Sequence, residues 1–278
     1  MQPAELILPA TDSITLVLQQ GVLYLTLNRP VSRNAMTAAM LDEIIDAFDA
    51  IRGRLDVRAV VIRGAGGHFC AGADLKSLAT APKSAGDDPI AALNRRFGTM
   101  LQQVEAASQV VVVVCEGSVL GGGFGLVCVS DIAIAHSAAR FGLPETTRGL
   151  PPAQIAPFVA SRVGLSQARR LCLTGAQFDG AEALRLGLVH LVADDAAALD
   201  AMLDETLDAV LRCAPQANAI TKSILMNVEA AELATRLDAA ALQFSQCARG
   251  SEAAEGITAF MQKRRASWVV SAQGSASS

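Results

Sequence analysis

VLGGGFGLVCVSDIAIAHSAARFGLPETTRGLPP, residues Val119 to Pro152, is the most informative segment of the sequence. Three consecutive glycines, Gly121 to Gly123, follow an apolar strand-like segment and open a segment with helical character, Gly122–Val129. Because glycine has no β-carbon, the backbone can approach a ligand closely there. At the start of a helix it also leaves N–H groups unpaired. The stretch therefore predicts backbone donors for a bound oxygen.

A single carboxylate, Glu145, lies further along in the string FGLPE. A glutamate near backbone donors can act as an acid or base on a substrate whose carbonyl oxygen those donors hold. A lone glutamate in a turn is more often solvated, or part of a helix cap. The residues by themselves leave both interpretations open.

A second glycine-containing turn, CAGAD at residues 70–74, follows another apolar strand pattern. We nominate the backbone N–H groups of Ala73 and Gly122 as a pair that stabilises negative charge on a carbonyl oxygen. Losing one such donor typically costs about 3–4 kcal/mol of barrier. The alternative is that these glycines only make tight turns.

Composition limits the class of protein. A chain of 278 residues, 51% of them hydrophobic, forms one large domain, or one domain with a small appendage. A net charge of -4 and an aromatic content of 4% argue against a nucleic-acid partner, which needs a basic face and stacking rings.

Cysteine and histidine spacing predicts no metal site. The 6 cysteines contain no CxxC pair and the 3 histidines no HExxH pattern, so we expect reduced, buried thiols. The N-terminus has no signal-peptide pattern, and the longest apolar run, 110–115, is far too short to span a bilayer. We therefore expect a cytoplasmic protein with no membrane partner.

Hydrophobic periodicity predicts an α/β protein. It indicates a hairpin over 14–27, further strands over 57–63, 110–115 and 131–136, and helices over 36–51 and 90–105. Beyond residue 152 the pattern is almost wholly helical, with helices over 201–212, 215–230 and 231–249. Residues 1–12 are expected to form a loose arm, 80–89 a mobile loop and 271–278 a disordered tail.

The strings FCAGADLK, LGGGFGL, SDIAIA and FGLPE, in this order and spacing, resemble the crotonase (enoyl-CoA hydratase/isomerase) superfamily. LTGAQFDGAEALRLGLVHLV and AFMQKRRASW are similar to its later signatures, so the resemblance covers about residues 14–268. It implies a spiral of β-β-α units over 1–200, carrying the coenzyme A site and the oxyanion hole. A helical C-terminal trimerisation region over 201–270 and the tail over 271–278 would follow. Homotrimers or dimers of trimers are implied as well.

The resemblance also implies roles for residues. Glu145 is the catalytic carboxylate, and Ala73 and Gly122 supply the two N–H groups that bind the thioester oxygen. No separate cofactor is implied, because coenzyme A is part of the substrate. The implied substrate and coenzyme A contacts are Arg33, Ala71, Gly72, Asp74, Leu75, Lys76, Gly121 and Gly123, with Phe260 and Lys263 reaching from a neighbouring subunit.

One departure from the family pattern affects the reaction. Typical hydratases of the family carry a second glutamate at the position of Gly125. With one carboxylate, Glu145 must move both protons of the added water in turn, or another group must help. A one-glutamate site also suits Δ3,Δ2-enoyl-CoA isomerisation. A third hypothesis is a non-catalytic CoA- or RNA-binding paralogue.

Two segments of the sequence indicate a particular class of substrate. CEGSVLGGGFGLVCVSDIAIA and PETTRGLPPAQIAPFV are similar to bacterial hydratases of branched glutaconyl-CoA esters, such as isohexenylglutaconyl-CoA hydratase, in leucine and acyclic-terpene breakdown. We therefore expect hydration of a 3-branched glutaconyl-CoA. The free carboxylate of such a substrate needs a cation or several donors. Arg148 is the first candidate, and Arg95 and Arg96 are others.

Overall fold

Strands and helices alternate through the residues that the structure describes, which are 6–74, 88–227 and 232–270 of a computed structural model. The strands, in chain order, are β1 (Ile14–Gln19), β2 (Val22–Leu27), β3 (Ala59–Gly64), β4 (Val110–Cys115), β5 (Ser118–Leu120), β6 (Ile132–His136), β7 (Arg140–Gly142), β8 (Gln177–Phe178) and β9 (Leu191–Ala193). The helices are α1 (Ala38–Ala50), α2 (Pro89–Glu105), α3 (Gly122–Val129), α4 (Ala156–Thr174), α5 (Gly180–Arg185), α6 (Ala196–Arg212), α7 (Pro215–Met226), α8 (Leu233–Ala248) and α9 (Ser251–Met261).

Two sheets carry the architecture. Over the described residues, the larger sheet has the strand order β1-β2-β3-β4-β6-β9, and the smaller has the order β5-β7-β8. The hairpin β1–β2 is antiparallel, and each further pair of the larger sheet is parallel. A parallel sheet places the carboxyl ends of its strands at one edge, which is where ligands usually bind.

The central strand β4 is apolar throughout because both faces of the larger sheet are covered there. Along β4, Val111 and Val113 face a core built mainly with α1, α2, α3 and α4. Val112 and Val114 face a second core, built with α6. Side chains alternate between the two faces of a strand, so an unbroken valine run fills both layers.

A parallel bridge brings the two glycine turns together. Cys70 pairs with Val119 of β5, since the Cys70 N–H donates to Ser118 O over 2.8 Å and the Leu120 N–H donates to Cys70 O over 2.9 Å. The two chain segments therefore run side by side. Their glycine turns, which follow at residues 71–74 and 121–123, emerge next to each other at the same edge.

The predicted elements are found, with some corrections. The predicted strand over 110–115 and the predicted helix Gly122–Val129 have the bounds that the structure shows. The described chain after residue 152 is mainly helical, as expected, but it also contains the short strands β8 and β9, which were not predicted. Strands of two or three residues are too short to show a period of two, so the sequence gives no signal for them.

The C-terminal helices lie largely outside both cores. No residue of α7 or α8 is buried, and in α9 the buried residue is Ala259. The predicted division between residues 200 and 201 falls within α6, and the division stays a prediction. The predicted loop over 80–89 lies almost entirely outside the described residues, and the predicted tail over 271–278 lies entirely outside them.

Candidate active site

A cavity of about 450 Å³ opens where the two glycine turns meet. Its walls come from both turns, from α2, from the 3-10 helix Pro144–Arg148 and from the segment that leads into α4. Most of the lining is apolar, and Glu145 lies within it. An apolar cavity with a few polar groups is typical of a small-molecule site.

The first turn presents the Ala73 N–H to the cavity. The Met36 N–H donates to Gly72 O over 2.8 Å, and the Asp74 N–H donates to Met36 O over 2.9 Å. The Gly72 carbonyl and the Ala73 N–H belong to one trans peptide plane and point in opposite directions. The Ala73 N–H therefore faces away from Met36, and Ala73 itself is exposed in the cavity lining.

The second turn presents the Gly122 N–H. Gly122 begins α3, where a helix leaves its N–H groups without internal acceptors. Gly121 before it has φ of 51° and ψ of -113°, a backbone conformation that glycine tolerates best. Neither the Gly122 N–H nor the Ala73 N–H has a hydrogen-bond acceptor in the described part of the chain.

The catalytic candidate Glu145 lies directly beside the second turn. A β-carbon placed on Gly121 would lie 2.7 Å from Glu145 Oε1 and 3.4 Å from the Gly72 Cα. The carboxyl group and both turns are therefore in contact, although 73 residues of sequence separate Gly72 from Glu145. This proximity fits the predicted grouping of carboxylate and donors.

Burial changes the acidity of Glu145. Its Oε2 atom is buried and makes no hydrogen bond with the described residues. Desolvation raises the pKa of Glu145, against the smaller opposing effects of its own backbone N–H and of the Arg148 guanidinium. A carboxyl group with a raised pKa is a better proton donor near neutral pH than an ordinary glutamate.

Gly125 is enclosed by apolar side chains. A β-carbon at Gly125 would lie 3.3 Å from Leu101 Cδ1 and 3.4 Å from Ile155 Cγ1. Both leucine and isoleucine are buried. The place where related hydratases carry a second carboxylate is thus occupied by hydrocarbon.

Among the three candidate cations, the cavity includes Arg148. Arg148 makes no hydrogen bond or ion pair within the described ranges. Arg95 instead donates to Thr99 and Gln102, and Arg96 pairs with Asp42. Neither Arg95 nor Arg96 lines the cavity, because both lie on the solvent-exposed face of α2.

The remaining predicted contacts fall in several places. Gly121, Ala71, Gly72 and Asp74 line the cavity, and Asp74 pairs with Arg29 at 3.3 Å. Arg33 lies outside it, but its carbonyl accepts the Ala71 N–H over 2.9 Å. Leu75 and Lys76 lie outside the described residues.

Three further predicted residues lie off the cavity. Gly123 packs against Cys70, since a β-carbon there would lie 2.7 Å from Cys70 Cβ. Phe260 is 84% exposed at the end of α9, and Lys263 is exposed just beyond it. Their predicted contact with a neighbouring subunit's coenzyme A stays a prediction.

Sequence reasoning missed other members of the site. Met36 fixes the first turn and contacts the Gly122 position, while Phe97 and Gln154 line the cavity from α2 and from before α4. The pattern around Met36 and Phe97 signals only amphipathic helices, so it gives no sign of a role. Gln154 lies within the string PETTRGLPPAQIAPFV, whose resemblance indicates a substrate but no role for this residue.

Among the described residues, neither the Cys70 thiol nor a cluster of metal-ligating side chains forms a second reactive site. Burial raises the pKa of the Cys70 thiol to about 12, which agrees with a packing role rather than a nucleophile. Within the described ranges, no group of three His, Cys, Asp or Glu side chains gathers to hold a metal ion. None of the helices described is long and apolar enough to cross a membrane.

Comparisons with known proteins define the family. A family model described as enoyl-CoA hydratase/isomerase matches residues 18–270. The 2,3-dehydroadipyl-CoA hydratase of Escherichia coli (strain K12) is 32% identical over 247 residues, which are 88% of this chain and 94% of that protein. The chain therefore belongs to the enoyl-CoA hydratase/isomerase family.

Solved structures agree with this assignment. Pseudomonas aeruginosa AtuE superposes with a TM-score of 0.91 at 54% identity, over 93% of this chain and 100% of that chain. An enoyl-CoA hydratase/isomerase from Marinobacter aquaeolei gives 0.90 at 50% identity, over 93% and 99%. The predicted crotonase fold and the predicted class, a hydro-lyase of the enoyl-CoA hydratase type, are confirmed at this level.

Proposed function

We propose that the protein hydrates the 2,3 double bond of a 3-branched glutaconyl-CoA, such as 3-methylglutaconyl-CoA or isohexenylglutaconyl-CoA. The observation that carries the proposal is the contact between Glu145 and the two glycine turns. Two unpaired N–H groups and one carboxyl group with a raised pKa meet in a single apolar cavity. That set can hold a thioester oxygen and transfer protons beside it.

The N–H groups of Ala73 and Gly122 would bind the thioester oxygen. Their effect grows as negative charge moves onto that oxygen, so they stabilise the enolate more than the substrate. In the first step, the Glu145 carboxylate takes a proton from water while the water oxygen bonds to C3. The electron pair of the double bond moves to give the enolate.

In the second step, protonated Glu145 gives its proton to C2. The enolate collapses to the thioester, and the carboxylate is restored, so one water is consumed for each double bond. The buried surroundings of Gly125 supply no second acid, and Glu145 performs both transfers in turn. Both new bonds then form on the face of the substrate that Glu145 occupies.

The polar groups of the cavity support a substrate with a second carboxylate. Arg148 lines the cavity and makes no hydrogen bond or ion pair with the described residues, and a guanidinium is well suited to bind a carboxylate. Apolar side chains such as Leu93, Phe97 and Leu150 can contact an alkyl branch. The name of the E. coli relative denotes an ester of a different dicarboxylic acid, which is a competing substrate.

Turnover of a panel of CoA esters, followed by mass spectrometry, tests the proposal. The panel holds 3-methylglutaconyl-CoA, isohexenylglutaconyl-CoA, 2,3-dehydroadipyl-CoA, crotonyl-CoA and a 3-enoyl-CoA. We expect the branched glutaconyl esters to gain one water, with at least tenfold lower kcat/KM for crotonyl-CoA, because one charge-assisted contact contributes about that factor.

Each result that contradicts the proposal would indicate a different substrate or a different function. Conversion of the 3-enoyl ester without a mass change would make the protein an isomerase. Preference for 2,3-dehydroadipyl-CoA would keep the hydratase and replace the substrate. Turnover of no ester, with tight retention on heparin at low salt, would favour the non-catalytic RNA-binding alternative.

A further inference from the structure

Gly98 is a buried glycine in the interior of α2, where alanine would give a more stable helix. Its backbone is helical, so no unusual dihedral angle requires glycine there. A β-carbon at Gly98 would instead lie 2.0 Å from Gln154 Oε1 and 3.1 Å from Arg95 Nη1. The absence of a side chain at residue 98 is what allows the Gln154 amide to lie against α2.

Gln154 is a half-buried residue that lines the same cavity as Glu145 and Arg148. Its amide makes no hydrogen bond with any residue that the structure describes. An amide in largely apolar surroundings costs free energy unless a partner satisfies it. Such a group, placed in a substrate cavity, is suited to bind a polar part of the substrate.

The position of the amide oxygen indicates which half of the amide meets the ligand. Oε1 is the amide atom nearest Gly98, since a β-carbon there would lie 2.0 Å from it, and Arg95 Nη1 lies 3.1 Å from the same point. With the acceptor oxygen against α2, the Nε2 group, which donates hydrogen bonds, is the half left for the cavity. A donor that shares a cavity with the Arg148 guanidinium suits an anionic acceptor such as a carboxylate.

We propose that Gln154 is a specificity-determining residue whose Nε2 group donates a hydrogen bond to the distal carboxylate of the substrate, beside the charge of Arg148. Because Gly98 has no side chain, it leaves the space in which this amide lies. The inference rests on the proposed function, because it requires an acyl chain with a free carboxyl group. It adds a second, uncharged donor to the recognition of that group.

Dissociation constants of two matched ligands test the inference in a Glu145→Gln background, in which turnover does not interfere. 3-Methylglutaconyl-CoA and 3-methylcrotonyl-CoA differ only in the distal carboxyl group. We expect Gln154→Ala to weaken binding of the first about tenfold, which is the effect of one hydrogen bond to a charged group. Binding of the second should change less than twofold.

Gly98→Ala is the second variant, because its new methyl group displaces the Gln154 amide without removing it. It should reproduce the loss of affinity while Tm stays equal or rises, since alanine favours the helix. The double variant should bind no more weakly than either single variant. Gln216→Ala removes an exposed carboxamide outside the cavity and should leave both constants within twofold.

The outcomes separate the two proposals. Equal affinity of the Glu145→Gln parent for both ligands would overturn the carboxylate preference, and the proposed substrate with it. A preference that survives both Gln154→Ala and Gly98→Ala would overturn only the role of Gln154. An equal loss of affinity for both ligands would show that Gln154 supports the cavity and does not recognise the carboxylate.

Discussion

Glu145 combines the two requirements of a proton carrier, a place beside the second glycine turn and a pKa raised by burial. Its charged form is disfavoured by desolvation, and Oε2 has no partner in the described ranges to offset that cost. The carboxyl group is therefore ready to accept a proton from water and to release it to carbon. The free-energy cost of burying the charged carboxylate should also lower the thermal stability of the protein.

Glu145→Gln should lower kcat about 10²–10⁴-fold, the usual contribution of a positioned acid or base. Binding of the CoA ester should change little, because the amide keeps the shape of the carboxyl group and both N–H donors remain. Steady-state kinetics with titration of an unreactive CoA ester measures the two effects. Turnover retained within threefold of the wild-type value would contradict the assigned role.

The pH dependence of stability gives an independent prediction for the same variant. A glutamate with a raised folded-state pKa contributes fully to stability below its unfolded pKa, and this contribution is lost as pH rises through the folded pKa. Glu145→Gln should therefore raise Tm by a few degrees at pH 8, with the difference vanishing near pH 4. Thermal unfolding across that pH range measures it, and a lower Tm at pH 8 would show that the charged form is stabilised.

At the scale of elements, the two glycine turns form the site because the parallel bridge between Cys70 and Val119 holds them side by side. Gly121 is required twice, by its φ of 51° and by Glu145 Oε1, which would lie 2.7 Å from a β-carbon. Gly122 is required by packing, since a β-carbon there would lie 2.9 Å from Met36 Sδ. The glycine run is thus fixed by local contacts as well as by ligand access.

Gly121→Ala should reduce kcat at least a hundredfold, because the new methyl group displaces the carboxyl group that transfers the protons. Gly187→Ala is the matched control, since Gly187 has a φ of 72° with nothing within 4 Å of its β-carbon position. Gly187→Ala should lose about 1 kcal/mol of stability from its positive φ, and Gly121→Ala about 1–3 kcal/mol, because a φ of 51° with a ψ of -113° is a conformation that residues with a β-carbon rarely adopt. Equal kcat values for the two variants would exclude a contact between residue 121 and the catalytic group.

The whole molecule exposes an unusual amount of apolar surface on its C-terminal helices. On α8 and α9, Leu237 is 60% exposed, Phe244 is 75% exposed and Ile257 is 58% exposed. Exposed apolar patches of this kind mark contact surfaces. We propose that these helices contact further copies of the chain, in a homotrimer or a dimer of trimers.

Sedimentation velocity tests the assembly against the monomer mass of 28.9 kDa. We expect the wild type to sediment at three or six times that mass, and Phe244→Asp to shift it towards the monomer by placing a charge in the interface. Val17→Asp on β1, at a site 54% exposed, is the control and should leave the mass unchanged. A monomeric wild type would overturn the proposal.

Some elements of the fold were predictable from the sequence and others were not. The helix over Gly122–Val129 and the strand over 110–115 were predictable because glycines and apolar runs act locally. β8 and β9 were not, because their two or three residues pair only with distant strands. Arg148 ranked before Arg95 as a candidate from the sequence, but only the fold shows which of the two arginines lines the cavity.

The amino-acid sequence was sufficient for the α/β class and the family resemblance, because these follow from local propensity and from ordered motifs. The expected grouping of Glu145 with the two glycine turns was an implication of that resemblance. The tertiary structure alone decided which side chains share the cavity. It placed Leu101 and Ile155 around Gly125, and Gln154 against Gly98. Such contacts join residues far apart in the chain, and no periodicity or spacing records them. Their physical origin is the close packing of helices and turns around one parallel sheet.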